Sequence, residues 1–418
     1  MTLRILNRNG LLAFLAISSV LRGSERPVSA QLAIRGETVY TMTGPAIRNG
    51  VVLTEGNRIT RVGPESEVKI PIGLRTLSAK VVTPGLIDAH SVVGLTGYLN
   101  QDQDQDQFDA SEPIQPELRA LDSYNPRERL IEWVRGFGIT TLHTGHAPGA
   151  VISGQTLIVK TSGNTVEEAL VRPTAMLACT LGDDARAKGR DAEKKTPGTR
   201  SKAVAILREQ LVKASEYRRK LKLDDEKKRP DRDLRMESMV RVLDGEWPLL
   251  VTAHRATDMV SALRVADEFK IKIVLDGAAE SYLIMDEIKK AGVPVILHPT
   301  MTRSGPGETE NLSMETAAKL IKAGIPVALQ SGFESYVPKT RVALFEAAIA
   351  AANGLTFEQA LGTITIEAAK ILGIADRVGS LESGKEADIA LYDGDPFEYT
   401  THCTDVIVNG IEVGMEPQ

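Results

Sequence analysis

The chain has little cysteine, few aromatic residues and no excess of basic residues. Cys179 and Cys403 are its two cysteines among 418 residues, and aromatic residues make up 4%. Two cysteines cannot build a disulfide framework, so the fold must be held by an apolar core. Lysine and arginine (50) are outnumbered by acids (55), which gives a net charge of −5. This balance argues against nucleic acid as a partner, because such binding needs a basic surface.

The N-terminus has the composition of a secretory signal. Arg4 and Arg8 precede an apolar run over 11–21, and the small residues 28–30 follow where a signal peptidase would cut. The apolar run is too short to cross a bilayer, which takes about 20 residues. We therefore expect a signal peptide over 1–30, an exported protein in the periplasm or outside the cell, and no membrane span after cleavage. A frayed leader or a wrongly assigned start is the alternative.

The rest of the chain alternates short strand patterns with helical ones. Both ends are rich in strand patterns, and residues 31–84 and 371–418 are predicted to form one composite β-sandwich domain. Hydrophobic residues make up 42% of the chain, enough for this small domain and a larger one over 85–370. That larger part has eight short apolar runs separated by helical patterns, which predicts an α/β fold, a (β/α)8 TIM-type barrel with a parallel sheet. The predicted strands are 86–92, 139–143, 156–160, 175–180, 249–254, 271–275, 293–298 and 326–329.

Two segments do not fit this repeat. Residues 100–107 contain D-Q-D-Q-D-Q, which predicts a solvated loop near one end of the barrel. Residues 183–245 are highly charged and have helical spacing in their first half, which predicts a solvated helical insertion. A lid or a contact between copies in a homo-oligomer is the alternative for this insertion.

Five of the six histidines lie at or just beyond the C-terminal end of a predicted strand. They are His90, His143, His146, His254 and His298, whereas His402 lies elsewhere. The C-terminal ends of barrel strands are where catalytic groups gather, so we expect these side chains near one mouth. A hydrogen-bonded structural role is the alternative for each.

The chain is organised around V-V-T-P-G-L-I-D-A-H-S-V-V-G (81–94), in which a proline–glycine turn leads into a strand ending in Asp88 and His90. This motif resembles the opening of the metal-dependent amidohydrolase superfamily, particularly its secreted imidazolonepropionase-like members. T-A-H (252–254) and V-G-S-L-E-S-G-K-E-A-D-I-A-L-Y-D-G-D-P (378–396) are similar to later motifs of that family. The resemblance covers nearly the whole chain after residue 30.

The resemblance implies a zinc or other divalent metal that lowers the pKa of a bound water, which then attacks a carbonyl or imine carbon. In that family the ligands are a His-x-His on strand one, sometimes a carboxylated lysine on strand four, and histidines on strands five and six. An aspartate on strand eight moves the proton. His90 and His254 match two of these ligands, and Asp88 matches a residue that orients the first or satisfies backbone amides.

Other positions depart from the family pattern. Val92 replaces the second histidine, strand four ends in Cys179-Thr180, strand six ends in Asp276, and Gly332 stands where the catalytic aspartate is expected. Lys160 falls on strand three rather than strand four. Candidates to replace the lost groups are His143, His146 and His298 as a third ligand, and Asp276, Glu280 and Glu334 as the base. For each acid, an ordinary loop or helix-start role is the alternative.

Three functions remain open from the sequence. The first is hydrolysis of a C–N bond, in a non-peptide amide or cyclic amide of an unnamed small-molecule substrate, by metal-activated water. The second is a catalytically degraded relative that serves as a binding or scaffold protein. The third is a metal-independent binding protein for peptides or polysaccharide fragments that uses the loop at 102–106.

Overall fold

A computed structural model describes residues 31–99, 101–186, 197–298, 304, 307–333 and 342–414. The predicted signal peptide lies outside these ranges. Within them, no helix is long and apolar enough to span a lipid bilayer.

The two ends of the chain share one seven-stranded sheet. Strand β15 pairs antiparallel with β4, and β4 pairs parallel with β1, so the C-terminal strands extend the sheet that the N-terminal strands begin. The bounds are β1 Leu32–Val39, β2 Ile47–Glu55, β3 Arg58–Pro64, β4 Arg75–Pro84, β15 Ile389–Tyr392, β16 Cys403–Val408 and β17 Ile411–Val413, in the order β17-β16-β15-β4-β1-β2-β3. An extra sheet built from both ends is therefore confirmed; its two-layer form and the domain limits remain predictions.

The middle of the chain forms two further sheets, ordered β14-β13-β12-β11-β10-β7 and β5-β6-β8-β9. Their bounds are β5 Leu86–Ser91, β6 Ile139–Thr144, β7 Ile152–Gln155, β8 Leu157–Lys160, β9 Leu170–Arg172, β10 Leu177–Thr180, β11 Leu249–Ala253, β12 Ile273–Gly277, β13 Val295–Leu297 and β14 Val327–Leu329. Each of the eight predicted runs overlaps one of these strands. The last strand returns to the first, because the Gly332 N–H donates to the His90 carbonyl at 3.1 Å.

The third strand departs from the prediction of an all-parallel sheet. Strand β8 runs antiparallel to β6, and β7, which leads directly into it, runs antiparallel to β10. Residues 152–160 therefore run in the opposite direction to β6 and β10, away from the end of the barrel at which those strands finish. Lys160, the last residue of β8, contacts Asp388 and Glu386, beside the seven-stranded sheet.

The helices lie between and outside these strands. Their bounds are α1 Arg129–Arg135, α2 Val166–Ala169, α3 Arg200–Leu221, α4 Leu234–Leu243, α5 Ala256–Phe269, α6 Met285–Ala291, α7 Thr316–Lys322, α8 Ala343–Ala352, α9 Phe357–Thr363 and α10 Ile366–Ile371. Helices α3 and α4 form the charged insertion, and the side chains of Thr199 and Asp233 cap their first turns. The insertion is not wholly solvated, since α3 buries Leu207 and Leu211 in the main core.

A layer of apolar side chains fills the barrel interior near its floor. Ile87, Ile158, Leu250, Val274 and Ile296 are buried there together with residues of α10. Because side chains of a strand alternate between its two faces, the residue two places further along each ascending strand faces the same interior, one layer closer to the mouth.

Buried ion pairs connect the barrel, at the end of β8, to the seven-stranded sheet formed by the two ends of the chain, the end sheet. The Lys160 ammonium contacts the carboxylates of Asp388 and Glu386, the latter at 2.9 Å, and all three side chains are buried. Arg377 donates from Nε to the other oxygen of Glu386 at 2.7 Å. Strand β15 and the segment before it are thus tied to the barrel by ion pairs shielded from water.

Candidate functional site

A buried carboxylate lies at the centre of the layer above the apolar floor. Asp276, at the end of β12, accepts hydrogen bonds from the Thr252 hydroxyl at 2.6 Å and from the Gln330 side-chain amide at 2.8 Å. The same carboxylate lies 3.0 Å from Nδ1 of His90. Since a carboxylate oxygen can only accept, this ring nitrogen carries the proton. Four strands, β5, β11, β12 and β14, meet at this carboxylate.

His90 and Asp276 form a hydrogen-bonded pair shielded from solvent. Burial opposes the charge of Asp276, but His90 and the two neutral donors outweigh it and hold its pKa below the usual value. Burial likewise opposes a charged His90, and the carboxylates of Asp276 and Asp88 outweigh it, so its pKa is raised. The other ring nitrogen, Nε2, is buried and has no hydrogen-bond partner among the described residues.

Asp88 fastens the first strand to the last. One of its oxygens accepts from the backbone N–H groups of His90 at 3.3 Å and Ser331 at 3.0 Å, and the other accepts from the Ser331 hydroxyl. Burial raises the pKa of Asp88 to about 6 despite these bonds. Its contacts are those of a structural residue at the closure of the barrel.

His143 is a structural histidine. Its Nδ1 donates to the Ala89 carbonyl at 2.6 Å, and its Nε2 lies 2.7 Å from the Thr156 hydroxyl. Burial lowers its pKa to about 3, so the ring is neutral and Nε2 accepts the hydroxyl proton. Both nitrogens are hydrogen-bonded within the protein, so the geometry favours the structural role that was the alternative for His143 over the role of a metal ligand.

The other three candidate histidines lie in different surroundings. His254 follows β11 and packs on Gly277, where a Cβ would lie 2.7 Å from its ring, and its Nδ1 has no partner among the described residues. His298 is buried beyond β13, with its backbone N–H bonded to the Gly277 carbonyl. His146 packs instead against Gly154, and burial lowers its pKa to about 4.

The three candidate bases, Asp276, Glu280 and Glu334, also differ in their surroundings. Asp276 is central but fully engaged by its three donors. Glu280 accepts from the backbone N–H of Ala256 at 2.8 Å and from the Asn311 amide at 2.8 Å. It therefore satisfies the first turn of α5, the helix-start role that was its alternative. Glu334 lies outside the described residues.

The donors in the described ranges do not fit a catalytic zinc. Such an ion takes three protein ligands and a water, and no group of three histidine, cysteine or acidic side chains with that arrangement exists within these ranges. Val92 is buried and apolar, and Cys179 lies in the main apolar core, where burial raises the pKa of its thiol to about 12. His90 Nε2 and His254 Nδ1, which belong to the two histidines that match family ligands, are among the buried imidazole atoms without a partner in the described ranges, and two imidazole nitrogens alone hold zinc poorly.

Sequence reasoning missed two members of the site. Thr252 and Gln330 were not candidates, because neither type coordinates zinc or acts as a base in the family. The available signal was their position, since each lies two residues after an interior apolar residue, Leu250 or Ala328.

The comparisons with known proteins agree with this architecture. A model of the amidohydrolase family matches residues 285–413. Amidohydrolase tasK of Hapsidospora irregularis is 25% identical over 390 residues, which cover 83% of this chain and 38% of that protein. An imidazolonepropionase of Caldanaerobacter subterraneus subsp. tengcongensis is 31% identical over 116 residues, 28% of this chain and 27% of that protein. The chain thus spans well under half the length of these relatives in the matched regions.

Among solved structures, an amidohydrolase from Thermotoga maritima MSB8 superposes with a TM-score of 0.85 at 29% identity, over 92% of this chain and 99% of that one. A zinc-bound adenosine deaminase from Xanthomonas campestris superposes with a TM-score of 0.54 at 15% identity and shares the fold. The α/β fold, its extra sheet and the matching motifs lead to one conclusion: the chain belongs to the amidohydrolase family and has imidazolonepropionases among its relatives.

Proposed function

We propose that the protein hydrolyses a C–N bond in a small non-peptide amide or cyclic amide, and that His90 and Asp276 move the proton. The observation that carries the proposal is the buried pair itself. Nδ1 of His90 is fixed by a carboxylate that two further donors, Thr252 and Gln330, hold in place, and Nε2 has no partner among the described residues. A carboxylate that fixes the tautomer and orientation of an imidazole is the arrangement by which hydrolases activate a nucleophile.

The chemistry requires one proton to move twice. A water next to Nε2 gives its proton to His90 as its oxygen bonds to the carbonyl carbon. The C–N bond then breaks, and the proton passes from Nε2 to the departing nitrogen. Asp276 stabilises the imidazolium that exists between these steps. The metal-activated water typical of the family has no part in this scheme, because the described donors do not fit the ion.

The finer architecture belongs to the same proposal. We propose that the eight strands close as a (β/α)8 barrel and that the end sheet folds as a sandwich beside it. The return of β14 to β5 through Gly332 and His90 supports the closure. The pattern of residues 1–30 supports export to the periplasm or beyond, which fractionation of cells expressing the full chain would test.

The test is turnover of a panel of non-peptide amides, lactams and cyclic ureides, with release of the amine or ring-opened acid followed by mass spectrometry. His90→Gln and Asp276→Asn should each lower kcat/KM about 100-fold or more, the usual contribution of a positioned acid–base group. The surface pair His402 and Asp393, 3.5 Å apart, offers matched controls. His402→Gln and Asp393→Asn should leave turnover unchanged, and equal losses in both pairs would refute the role of His90.

A non-catalytic binding or scaffold protein is the second candidate. The observation in its favour is that Val92 and Asp276 stand where the resemblance places metal ligands and Gly332 stands where it places the catalytic aspartate. Binding of panel compounds in calorimetry without any turnover would select this function over the first.

A further inference from the structure

We infer that a hydrogen-bond network within the chain takes the place of the metal ion of its family: Asp276 joins His90, Thr252 and Gln330 and makes the barrel mouth complete without a cation. This inference does not require the protein to be a catalyst, and it stands or falls separately from the proposed hydrolysis.

The first support is where the network lies. A metal at the barrel mouth draws strand ends together by accepting ligands from several of them. Here Asp276 performs that task with hydrogen bonds, since its partners come from β5, β11 and β14 while it belongs to β12. The carboxylate stands at the end of strand six, where the resemblance places a histidine ligand.

The second support is that most donor atoms of this layer are already occupied. A carboxylate offers about four lone-pair positions, and three of those of Asp276 accept hydrogen bonds. Nδ1 of His90 is hydrogen-bonded to it, and both nitrogens of His143 are hydrogen-bonded elsewhere. An ion entering this layer would find His90 Nε2 and His254 Nδ1 without partners among the described residues, and it would have to break these bonds to gain a third ligand, because the buried Val92, directly after β5, stands in place of the second histidine.

The third support is that the network stabilises its central carboxylate with hydrogen bonds. A carboxylate without partners in a dry interior is very unfavourable, whereas one that is hydrogen-bonded is tolerated. Asp276 is 2% exposed and accepts from His90, Thr252 and Gln330. These three donors occupy the positions through which the carboxylate would otherwise require a cation.

The metal content and the unfolding midpoint of the wild-type protein test the inference. Full-length protein, purified once with added zinc and once with a chelator, should contain well under one equivalent of metal in either case by elemental analysis. Its unfolding midpoint should be the same in zinc and in chelator, because a ligand that does not bind the native state cannot stabilise it. About one zinc per chain that His90→Gln and His254→Gln release, with a midpoint that falls in chelator, would overturn the inference.

Restoring the lost ligands gives the complementary test. The double variant Val92→His with Asp276→His should gain zinc binding and a midpoint that rises with zinc concentration, whereas Asp276→Asn should lose stability without gaining metal. If the double variant does not fold, the wild-type protein still provides a readout: the Nδ1 proton resonance of His90, assigned by its loss in His90→Gln, should persist unchanged in chelator and vanish in Asp276→Asn. A resonance that shifts when zinc is added would contradict the network.

Discussion

Replacing Lys160 by methionine should destabilise the protein strongly. The ammonium of Lys160 is 2% exposed and lies between the carboxylates of Asp388 and Glu386, themselves 3% and 4% exposed. Methionine keeps most of the apolar stem and removes the charge. Asp388 then keeps the backbone N–H of Asn409, and Glu386 keeps Arg377, so each acid is only partly compensated.

The magnitude follows from this loss. Removing one partner of a buried ion pair costs about 3–5 kcal/mol, and the two remaining donors place Lys160→Met near the lower end, about 3 kcal/mol. Urea unfolding followed by circular dichroism measures the change. The exposed pair Lys213 and Glu209, each about half exposed, gives the control, because Lys213→Met removes a solvent-screened pair and should change the free energy of unfolding far less than Lys160→Met. Equal losses in the two variants would refute the idea that the floor pairs hold the end sheet.

Three further changes test other parts of the fold. Burial and the nearby Asp184 raise the pKa of Glu308 from 4.5 to about 7. Because the native state binds this proton more tightly than the unfolded state, the free energy of unfolding should decline as pH rises from 4.5 to about 7. The unfolding midpoint of Glu308→Gln should fall less over this pH range than that of the wild-type protein. Gly277→Ala would place a Cβ 2.7 Å from the His254 ring and should lower the unfolding midpoint more than Gly245→Ala, which has a similar positive φ and meets only Lys272 at 3.6 Å; equal shifts would contradict this packing. Cys179 should resist thiol reagents in native protein and react on unfolding, because it is buried; fast labelling of native protein would show the strand exposed.

Much of the fold could be predicted because apolar runs and turns are local signals. All eight runs became strands, and the Pro84–Gly85 turn does lead into β5. The direction of the third strand could not be predicted, since a four-residue apolar run such as Leu157–Lys160 has the same pattern in either direction. Its direction depends on pairing with β6 and β9, which the sequence does not display.

The site was harder to predict for a similar reason. His90 and His143 occupy equivalent positions at strand ends, yet one faces Asp276 and the other is bonded to the Ala89 carbonyl and Thr156. Their partners lie on other strands, at sequence separations of up to 186 residues. Strand position therefore identified the right layer of the barrel, while the role of each histidine depended on long-range contacts.

The descending third strand changes which connection borders the mouth on that side. In an all-parallel barrel, the segment after each strand lies at the C-terminal end of the barrel. Here β7 and β8 run in the opposite direction, so residues 145–151, between β6 and β7, lie at that end, and the segment after β8 does not. Insertions after Lys160 would emerge beside the end sheet instead. Because His146, Ala147 and Val151 are buried and Pro148 is partly exposed, a new recognition segment should be inserted at Pro148, and the segment after Lys160 should be left untouched.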